Sequence, residues 1–448
     1  MPSSAALCKE IERALPDRPF SLSFWDGNSV PATTEAGPTF SFRSPDAIAQ
    51  VLRAPGELGL GRAYVLGDLE VDDLDALLAL LGRWSAPLTP ATKARLGAAA
   101  LRAAGLRRPP PPPAAELQPR SEVRHSKRWD SETVRHHYDV SNEFFALFLD
   151  ESMTYSCALF EHPGQTLEEA QHAKLELICR KLDLGPGKRV LDIGSGWGSF
   201  AIHAAREHGA SVLGITLSPP QVELATERAK AAGVGGLTEF QVRDYRDMRG
   251  ESFDAVSSIG MIEHVGGDNI DEYAQVIADV LAPDGLMLNH GITWADDEVH
   301  IGADFSERYV FPGGEIPPLS RVTVAFERAG LEVHHVENLH EHYSETLRHW
   351  ATRLDRNLQE AERLAGPERV RVWRLYLRAA RNGFESGQTL VHQTLAGPVL
   401  TEPTTTTPQG PPERSVKIRQ RLAGDGAATR PRKAPRLRIR RGQSAHRP

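Results

Sequence analysis

The chain has 448 residues, of which 40% are hydrophobic and 25% are charged, and its formal net charge is −7. This length exceeds one ordinary domain and predicts two, with a sizeable core. The cysteines Cys8, Cys157 and Cys179 lie too far apart in sequence to indicate a disulfide framework or a metal-ligand cluster, which suits a reducing cytoplasm. We find no signal-peptide pattern and no apolar run of the roughly 18 residues that span a bilayer.

The charge is unevenly distributed along the chain. Residues 401–448 carry 12 Lys and Arg against 3 Asp and Glu, which leaves an acidic body. An acidic body argues against nucleic-acid binding. The basic tail begins TEPTTTTPQG, a composition typical of a solvated disordered extension. Contact of the tail with anionic lipid or RNA is the alternative.

The first hundred residues predict a small α+β domain. Its predicted elements are a strand over Phe20–Trp25, a helix over Pro45–Leu52 with Ser44 as N-cap, glycine turns from Leu58 followed by a helix over Asp73–Leu81, and a helix over Ala91–Leu106. Five consecutive prolines, Pro109–Pro113, then predict a stiff extended spacer, and we place the domain boundary there.

After the spacer, Ser131–Asp150 predicts an amphipathic helical region, and Thr166–Leu182 a helix with Lys174 on its polar face. Strands and helices then alternate, which is typical of a doubly wound parallel sheet. The predicted strands are Arg189–Ile193, Ser211–Leu217, Thr238–Val242, Phe253–Ile259 and Leu286–Ile292, and the predicted helices are Ser199–His208, Pro219–Ala232 and Ile270–Leu281. Ligands of such sheets bind beyond the carboxyl ends of the strands, which is where Gly194, Thr216, Asp244, Glu263 and His290 fall.

The turn after the first of these strands reads GSGWG, with Gly194, Gly196 and Gly198 following Asp192. Its G-x-G-x-G spacing differs from the G-x-G-x-x-G of pyrophosphate-binding turns. Free N–H groups at the start of the next helix suit a carboxylate as well as a phosphate. The turn therefore indicates S-adenosylmethionine before NAD, with a plain strand–helix corner as the alternative.

The stretch Trp294–Pro318 is irregular and rich in Gly, Pro and aromatic residues, too long for an ordinary connection. We interpret it as a lid or a wall of a substrate channel, with a plain crossover loop as the alternative. The remaining predicted elements are helices over Ser320–Ala329, Ser344–Leu364 and Glu368–Glu385 and a strand over Leu331–Val336.

Four polar residues are candidates for one pocket. Glu263 lies in GMIEHVGG at a strand end, His290 ends the apolar strand LMLNHGI, Cys157 lies in a short loop, and Tyr343 opens a helix. The alternatives are a surface carboxylate, a satisfied core histidine, a buried small hydrophobe and a packing aromatic. Glu263 and His264 are adjacent and form no H-E-x-x-H motif, so we predict no metal site.

The chain resembles the cyclopropane-fatty-acyl-phospholipid synthases, which are related to the mycolic acid cyclopropane synthases and to enzymes that make methylene-branched acyl chains. The shared phrases include HYDVSNEFFALFLDESMTYSC, RVLDIGSGWGSFA, GITLSPPQ, RDYRD, GMIEHVG, HGIT, RYVFPGGEIP and HYSETLRHW, in order over about residues 130–395. GRAYVLGDLEVDD resembles the small N-terminal domain of the phospholipid synthases. The resemblance implies an α/β fold, the doubly wound, Rossmann-like sheet of class I S-adenosylmethionine-dependent methyltransferases, with helical lid additions and a small α+β N-terminal domain.

The resemblance also implies the site residues. The implied S-adenosylmethionine contacts are Tyr155, Ser156, Asp192, Gly194, Gly196, Gly198, Thr216, Ser218, Gln221, Asp244 and Tyr245. The implied ligands of a bound bicarbonate ion are Cys157, Glu263, His290, the Ile292 backbone and Tyr343, and of these Glu263, His290, Tyr343 and Cys157 are the implied catalytic residues.

The implied reaction adds a one-carbon unit to a cis double bond of a phospholipid-bound acyl chain. An alkene is a poor nucleophile, so the donor methyl must be held in line with it. The resulting carbocation must be kept from water and must lose a proton, for which a small bound anion suffices. Loss of that proton from the transferred methyl closes a cyclopropane. Loss from a neighbouring carbon or a hydride shift gives a methylene branch, and a small soluble acceptor is a further alternative.

Three positions depart from the usual family pattern. Ser195 replaces a usual cysteine, which a backbone-binding turn tolerates. Ala380 stands where relatives often carry a cysteine, which excludes a covalent thiol mechanism there. LVHQTL differs from the Trp-Gln of the phospholipid synthases and favours the relatives that make methylene-branched chains.

Together these observations predict an N-terminal lipid-associated domain over residues 1–106, a Pro-rich linker over 107–121, a methyltransferase domain over 122–397 and a disordered basic tail over 398–448. We expect a cytoplasmic protein that binds peripherally to the inner membrane leaflet and its phospholipid substrate, without nucleic acid. A homo-oligomer is left open.

Overall fold

The computed structural model describes residues 3–34, 37–105, 110–117, 124–138, 140–296, 300–301 and 304–399. In chain order its strands are β1 (Ser21–Phe24), β2 (Ser29–Val30), β3 (Thr39–Phe42), β4 (Leu69–Val71), β5 (Arg189–Ile193), β6 (Ser211–Thr216), β7 (Thr238–Val242), β8 (Phe253–Ile259), β9 (Leu281–Trp294), β10 (His300–Ile301), β11 (Glu315–Ile316), β12 (Leu331–Asn338) and β13 (Thr389–Pro398).

The helices form on both sides of these strands and in the N-terminal region, residues 3–105. They are α1 (Ala5–Ala14), α2 (Pro45–Arg53), α3 (Glu57–Val65), α4 (Leu74–Arg83), α5 (Pro90–Ala104), α6 (Lys127–Tyr138), α7 (Asn142–Ala146), α8 (Leu167–Lys181), α9 (Ser199–His208), α10 (Pro219–Ala231), α11 (Ile262–Val265), α12 (Ile270–Val280), α13 (Asp304–Tyr309), α14 (Leu319–Arg328), α15 (His340–Arg356), α16 (Leu358–Ala365) and α17 (Pro367–Glu385). Among the described residues, no helix combines the length and apolar character that a bilayer crossing needs.

The largest sheet has seven strands in the order β12–β13–β9–β8–β5–β6–β7. The strands from β9 to β7 pair in parallel, and β13 pairs antiparallel with both β9 and β12. From β5 the chain proceeds to β6 on one side and returns to β8 on the other. A crevice therefore opens at the carboxyl ends of β5 and β8, where doubly wound sheets bind their ligands. The predicted fold class is confirmed.

The predicted parallel strands and their helices occur where the hydrophobic pattern places them. β5, β7, β8 and α9 have the predicted bounds, because apolar runs end at turn residues on both sides. The sequence did not predict β13, which pairs with β9 across the whole segment LVHQTL. The predicted helix over Ser344–Leu364 is two helices, broken at Asn357, whose side-chain amide donates to the carbonyl of Leu147 at 3.0 Å.

The N-terminal region has its own four-stranded sheet, in the order β2–β1–β3–β4, and its own apolar core. The predicted glycine turn at Gly67 is present, with φ +78°, but those at Gly59 and Gly61 are wrong, because that stretch is the helix α3. Its glycines serve close packing. A Cβ on Gly59 would lie 2.3 Å from the carbonyl oxygen of Ala54, and one on Gly61 would lie 2.4 Å from the ring of Phe305.

The proline segment lies against the N-terminal region over its described part, residues 110–117. Gln50 donates to the Pro111 carbonyl at 3.0 Å. Glu116 is buried and accepts two hydrogen bonds from Arg62, at 2.6 and 2.7 Å, and one from the Tyr309 hydroxyl at 3.0 Å. The segment thus joins α3 to α13. The four-part domain division remains a prediction. Of the predicted disordered tail over residues 398–448, Pro398 belongs to β13, and the residues from 400 onward lie outside the described ones.

Candidate active site

One cavity of about 870 Å³ begins at the carboxyl ends of β5, β6 and β8 and extends into the N-terminal region. The glycine loop after β5 and Glu263 after β8 line its polar end. Its other end is apolar, with lining residues Phe20, Leu22, Phe42, Leu69, Leu78 and Trp84. The stretch Trp294–Pro318, predicted as a lid or a wall of a substrate channel, contributes Phe305, Phe311 and Ile316 to the lining, so its described part forms a wall of this cavity.

The glycine loop brings bare backbone to the cavity. Gly194 has φ +76° and donates its N–H to the Ile215 carbonyl at 2.9 Å. A Cβ on Gly194 would lie 2.6 Å from Cγ of Met261, so only glycine fits there. Gly196 and the buried Ser195 also line the cavity, and the Ser195 hydroxyl has no partner. Gly198 is not among the lining residues; it directly precedes α9 and has a left-handed backbone conformation, with φ +80°.

The ends of β6 and β7 supply a second part of the wall. The Thr216 hydroxyl donates to Oε1 of Gln221 at 2.7 Å. The Nε2 atom of the same side chain is buried and has no hydrogen-bond partner among the described residues. Ser218 lies outside the lining and donates its N–H to the Thr216 hydroxyl. Asp244 is 8% exposed and accepts hydrogen bonds from Arg246. Burial opposes its charge, but Arg246 holds the pKa of Asp244 below its usual value.

Two further cofactor candidates, Asp192 and Tyr245, also line the cavity. Asp192 accepts a hydrogen bond from the Ser257 hydroxyl at 2.8 Å, and burial raises the pKa of Asp192 to about 7. Tyr245 is buried, and burial raises the pKa of its phenol.

A buried lysine lies beside these groups. Lys174 is fully buried rather than on the predicted polar face of its helix, and its ammonium donates to the Ser156 hydroxyl at 3.0 Å. Both residues line the cavity. Burial lowers the pKa of Lys174 to about 8, so the ammonium remains mostly charged at pH 7. The cavity therefore has a desolvated positive charge suited to a carboxylate.

Glu263 is presented by the short helix α11, directly after β8. Its Oε1 accepts the Ile292 N–H at 2.5 Å, and its buried Oε2 has no partner among the described residues. Burial raises the pKa of Glu263 to about 7, despite the opposing effect of the Ile292 hydrogen bond. This carboxyl group can therefore exchange a proton near neutral pH.

His290 on β9 is held by a contact that the sequence analysis missed. Lys181 can only donate, so its 2.7 Å contact identifies Oε1 of Gln393 as an acceptor. Nε2 of Gln393 then donates to Nδ1 of His290 at 3.2 Å. The ring proton of neutral His290 must therefore be on Nε2, which is buried without a partner in the part of the chain that the structure describes. Burial and the nearby lysines keep the pKa of His290 well below its usual value, so this donor stays neutral.

Cys157 and Tyr343 both contact the Leu339 carbonyl, just before α15. Cys157 is fully buried, and its thiol contacts the Leu339 carbonyl at 3.6 Å. The same carbonyl accepts the N–H of Tyr343 at 3.2 Å. Burial raises the pKa of the Cys157 thiol, so it is a neutral group rather than a thiolate nucleophile. Tyr343 lines the cavity, with its ring centroid 4.5 Å from that of Phe384.

The structure thus places some of the predicted site residues in the cavity lining and others outside it. Glu263, Ile292 and Tyr343 line the cavity, as does Tyr155, whose ring stacks on Trp350 at 5.1 Å. Cys157 and His290 are buried outside its lining. Lys174 and Gln393 were missed as site residues. A lysine in QHAKLELI and a glutamine in LVHQTL carry no local signal of burial.

The chain matches the family described as "Mycolic acid cyclopropane synthetase" over residues 125–394. This chain belongs to the mycolic acid cyclopropane synthetase family. Within it, the chain is 39% identical to a probable fatty acid methyltransferase of Pseudomonas putida over 384 residues, which is 84% of this chain and 91% of the relative. It is 34% identical to the cyclopropane-fatty-acyl-phospholipid synthase of Escherichia coli over 345 residues, or 77% and 84% of the two chains.

A solved mycolic acid cyclopropane synthase, in complex with S-adenosylhomocysteine and CTAB, has the same fold. It shares 32% sequence identity and a TM-score of 0.56, over 59% of this chain and 97% of that one. The chain is therefore an S-adenosylmethionine-dependent methyltransferase of the cyclopropane synthetase family, with the fold of class I enzymes. The family match begins at residue 125 and therefore leaves out the N-terminal sheet.

Proposed function

We propose that this chain transfers a one-carbon unit from S-adenosylmethionine to the cis double bond of an unsaturated acyl chain on a phospholipid, forming a cyclopropane. The observation that carries the proposal is the single cavity that joins the glycine loop to the apolar interior of the N-terminal region. A long acyl chain needs such an apolar site, whereas a soluble amine or phenol does not. The relatives from P. putida and E. coli bear names of fatty acyl modification.

The residues at the polar end fit the donor. The partnerless Nε2 of Gln221 and the Ser195 hydroxyl are buried groups that a polar ligand would satisfy. Lys174 and Ser156 would bind the donor carboxylate, next to the bare backbone of Gly194. When bound, the donor supplies an electrophilic methyl group. These residues hold and orient it, which supplies the alignment that a weakly nucleophilic alkene needs.

Aromatic side chains would keep water from the reacting carbons. Tyr155, Tyr343, Phe311, Tyr376 and Phe384 line the cavity near the glycine loop and Glu263. When the alkene takes the methyl group, one alkene carbon becomes a carbocation that water would trap. An aromatic wall excludes water, and its ring faces stabilise a positive charge.

The residues around Glu263 fit a small oxygen anion such as bicarbonate. Glu263 Oε2 and His290 Nε2 are both buried polar atoms without a partner among the described residues. A bicarbonate ion bound between them would donate its O–H to the first and accept from the second, and Tyr343 lines the same cavity as Glu263. Held there, bicarbonate would supply a base for the proton that the transferred methyl loses as the ring closes.

A methylene-branched product is the second candidate. The match to the P. putida fatty acid methyltransferase is longer and more identical than that to the E. coli cyclopropane synthase. A tuberculostearic acid methyltransferase of Mycobacterium tuberculosis is also 32% identical over 418 residues. In LVHQTL, Gln393 bonds to His290 and His392 bonds to Thr293 at 2.7 Å, so this segment contacts the strand that carries the site.

Substrate entry would occur at the membrane surface. Leu81 lines the cavity and is 55% exposed, so the apolar cavity reaches the surface at the end of α4. The neighbouring Trp84 lines the cavity too, and Trp is favoured at membrane interfaces. We propose peripheral contact of this edge with the cytoplasmic leaflet. Co-sedimentation with anionic phospholipid vesicles should fall in Leu81→Glu and not in Leu237→Glu, a change at an exposed leucine distant in sequence from α4.

The product decides between the candidates. The purified full chain is incubated with S-adenosylmethionine and dioleoyl phospholipid vesicles, and the acyl chains are analysed by mass spectrometry and NMR. A gain of one CH2 unit with ring-proton signals supports the cyclopropane, and exocyclic alkene signals support the methylene branch. Methylation of soluble amines or phenols, with the acyl chains unchanged, would refute both.

A further inference from the structure

A second cluster of ligand-type side chains lies between α8 and α9, apart from the cavity. One ligand atom each from Cys179, His203 and His208 lies within 4.8 Å of the other two. Glu176 joins them, because its Oε2 lies 3.4 Å from Nε2 of His203 and 2.9 Å from Nε2 of His208. None of these four residues lines the cavity, and the proposed reaction uses none of them.

The cluster is built by the packing of two helices. Glu176 and Cys179 are three residues apart on α8 and therefore share one face. His203 lies within α9, and His208 is its last residue. Cys179 and His203 are buried, with 0% and 3% exposure, while the side chain of His208 is 18% exposed. The site is thus anchored in the interior and open at one side, which gives a metal ion a route of entry.

We propose that Cys179, His203, His208 and Glu176 form a binding site for one divalent transition-metal ion, with Zn²⁺ as the best match. A thiolate, two imidazoles and a carboxylate are all zinc ligands, and four protein ligands complete a tetrahedral structural site. A thiolate ligand disfavours Mg²⁺ and Ca²⁺, which prefer oxygen. Tetrahedral Zn²⁺ places its N and S ligands about 3.5 Å apart, so the ligand atoms of Cys179, His203 and His208, which lie within 4.8 Å of one another, close by about 1 Å through side-chain rotation. Glu176 already contacts both histidines and follows them onto the metal.

The charges balance when the metal binds. The Cys179 thiol releases its proton, and each histidine shifts the Nε2 proton that it now donates to Glu176 onto Nδ1, so that Nε2 can bind the metal. The thiolate and the carboxylate together neutralise the dication, so no net charge is buried. Other groups also face the site, among them Glu207, whose negative charge acts on His203. The His172 ring packs edge-on against His203 at 4.9 Å, and Arg180 lies 3.8 Å from the other oxygen of Glu176.

The sequence analysis predicted no ligand cluster because it considered the spacing of cysteines alone. Here a single cysteine combines with histidines from the next helix, which no short motif records. The competing explanation is a purely hydrogen-bonded group in which both histidines share the Glu176 carboxylate. That group needs no thiol, so the role of Cys179 separates the two explanations.

The test is metal binding by the full chain, purified with its affinity tag removed and stripped with a chelator. We expect one equivalent of Zn²⁺ per chain in competition with a chromophoric chelator, and a rise in melting temperature on its addition. Co²⁺ should give a thiolate-to-metal charge-transfer band. Cys179→Ser should abolish that band and weaken Zn²⁺ binding about 100-fold or more, since losing even an outer hydrogen-bond partner costs 10–100-fold.

Two further variants make the outcome unambiguous. Cys8→Ser, at the other buried cysteine outside the proposed sites, should keep the band and the stoichiometry. His208→Gln lies at the partly exposed side, where the fold tolerates it, and should also weaken Zn²⁺ binding. The proposal is overturned if the wild-type chain binds no stoichiometric Zn²⁺, or if Cys179→Ser and His208→Gln bind it as tightly as the wild type.

Discussion

Replacing Glu263 by Gln is expected to stabilise the folded chain at neutral and higher pH while removing its activity. Burial raises the pKa of Glu263 from 4.5 to about 7. That difference of about 2.5 units, at 1.36 kcal/mol per unit, makes the buried carboxylate cost about 3 kcal/mol of folding free energy. Gln keeps the acceptor for the Ile292 N–H and never carries the charge.

The sign follows from the two protonation states. Below about pH 4.5 the carboxyl is protonated in both the folded and the unfolded chain, so it contributes nothing. Above about pH 7 only the folded state has the charge buried at a cost, so the full penalty is present. Between about pH 4.5 and pH 7, the free energy of unfolding of the wild type therefore falls by about 3 kcal/mol relative to that of Glu263→Gln.

The assay is urea unfolding followed by tryptophan fluorescence, at about pH 5 and about pH 8.5. Glu12→Gln, which removes an exposed carboxylate on α1, corrects for the change in net charge. Turnover on vesicles should fall by about 10²–10⁴-fold in Glu263→Gln, the usual contribution of a proton-transfer group. A stability difference that does not grow with pH, or full activity in the variant, would refute the reasoning.

Three other changes, one of them with a matched control, test separate parts of the structure. Lys174→Met should weaken binding of S-adenosylhomocysteine about 10- to 100-fold in calorimetry, because a hydrogen bond to a charged group contributes about 1.5–3 kcal/mol. Glu116→Ala leaves the buried guanidinium of Arg62 unpaired and should cost about 3–5 kcal/mol of unfolding free energy. Glu10→Ala, at an exposed pair, should cost about 0–1 kcal/mol by the same measurement. Leu78→Trp fills the apolar end of the cavity and should shift selectivity in mixed vesicles about tenfold toward shorter acyl chains.

The sequence predicted the parallel half of the large sheet because apolar strands there end at glycines and acidic residues. Gly194, Thr216, Asp244 and Glu263 could be placed at one sheet edge from that pattern alone. The prediction of turns failed at α3, because Gly59 and Gly61 allow close packing of this helix and do not form turns. Local pattern does not distinguish these two uses of glycine.

Buried polar residues were the other source of error. β13 contains His392, Gln393 and Thr394, all buried, and such residues do not resemble the apolar run of a central strand. Their partners lie on other strands and helices, so only the folded chain shows that they are satisfied. Lys174 was placed on a polar face for the same reason, since lysine is almost never fully buried.

The contact of Glu116 with Arg62 and Tyr309 has a consequence for how the protein assembles. These three residues come from segments far apart in sequence, and each loses a buried partner if one segment detaches. Partial unfolding of the N-terminal sheet is therefore costly for α13, which forms a wall of the cavity. We expect the N-terminal region and the catalytic sheet to melt in one cooperative transition, with no intermediate that retains a formed acyl site beside an unfolded amino-terminal half.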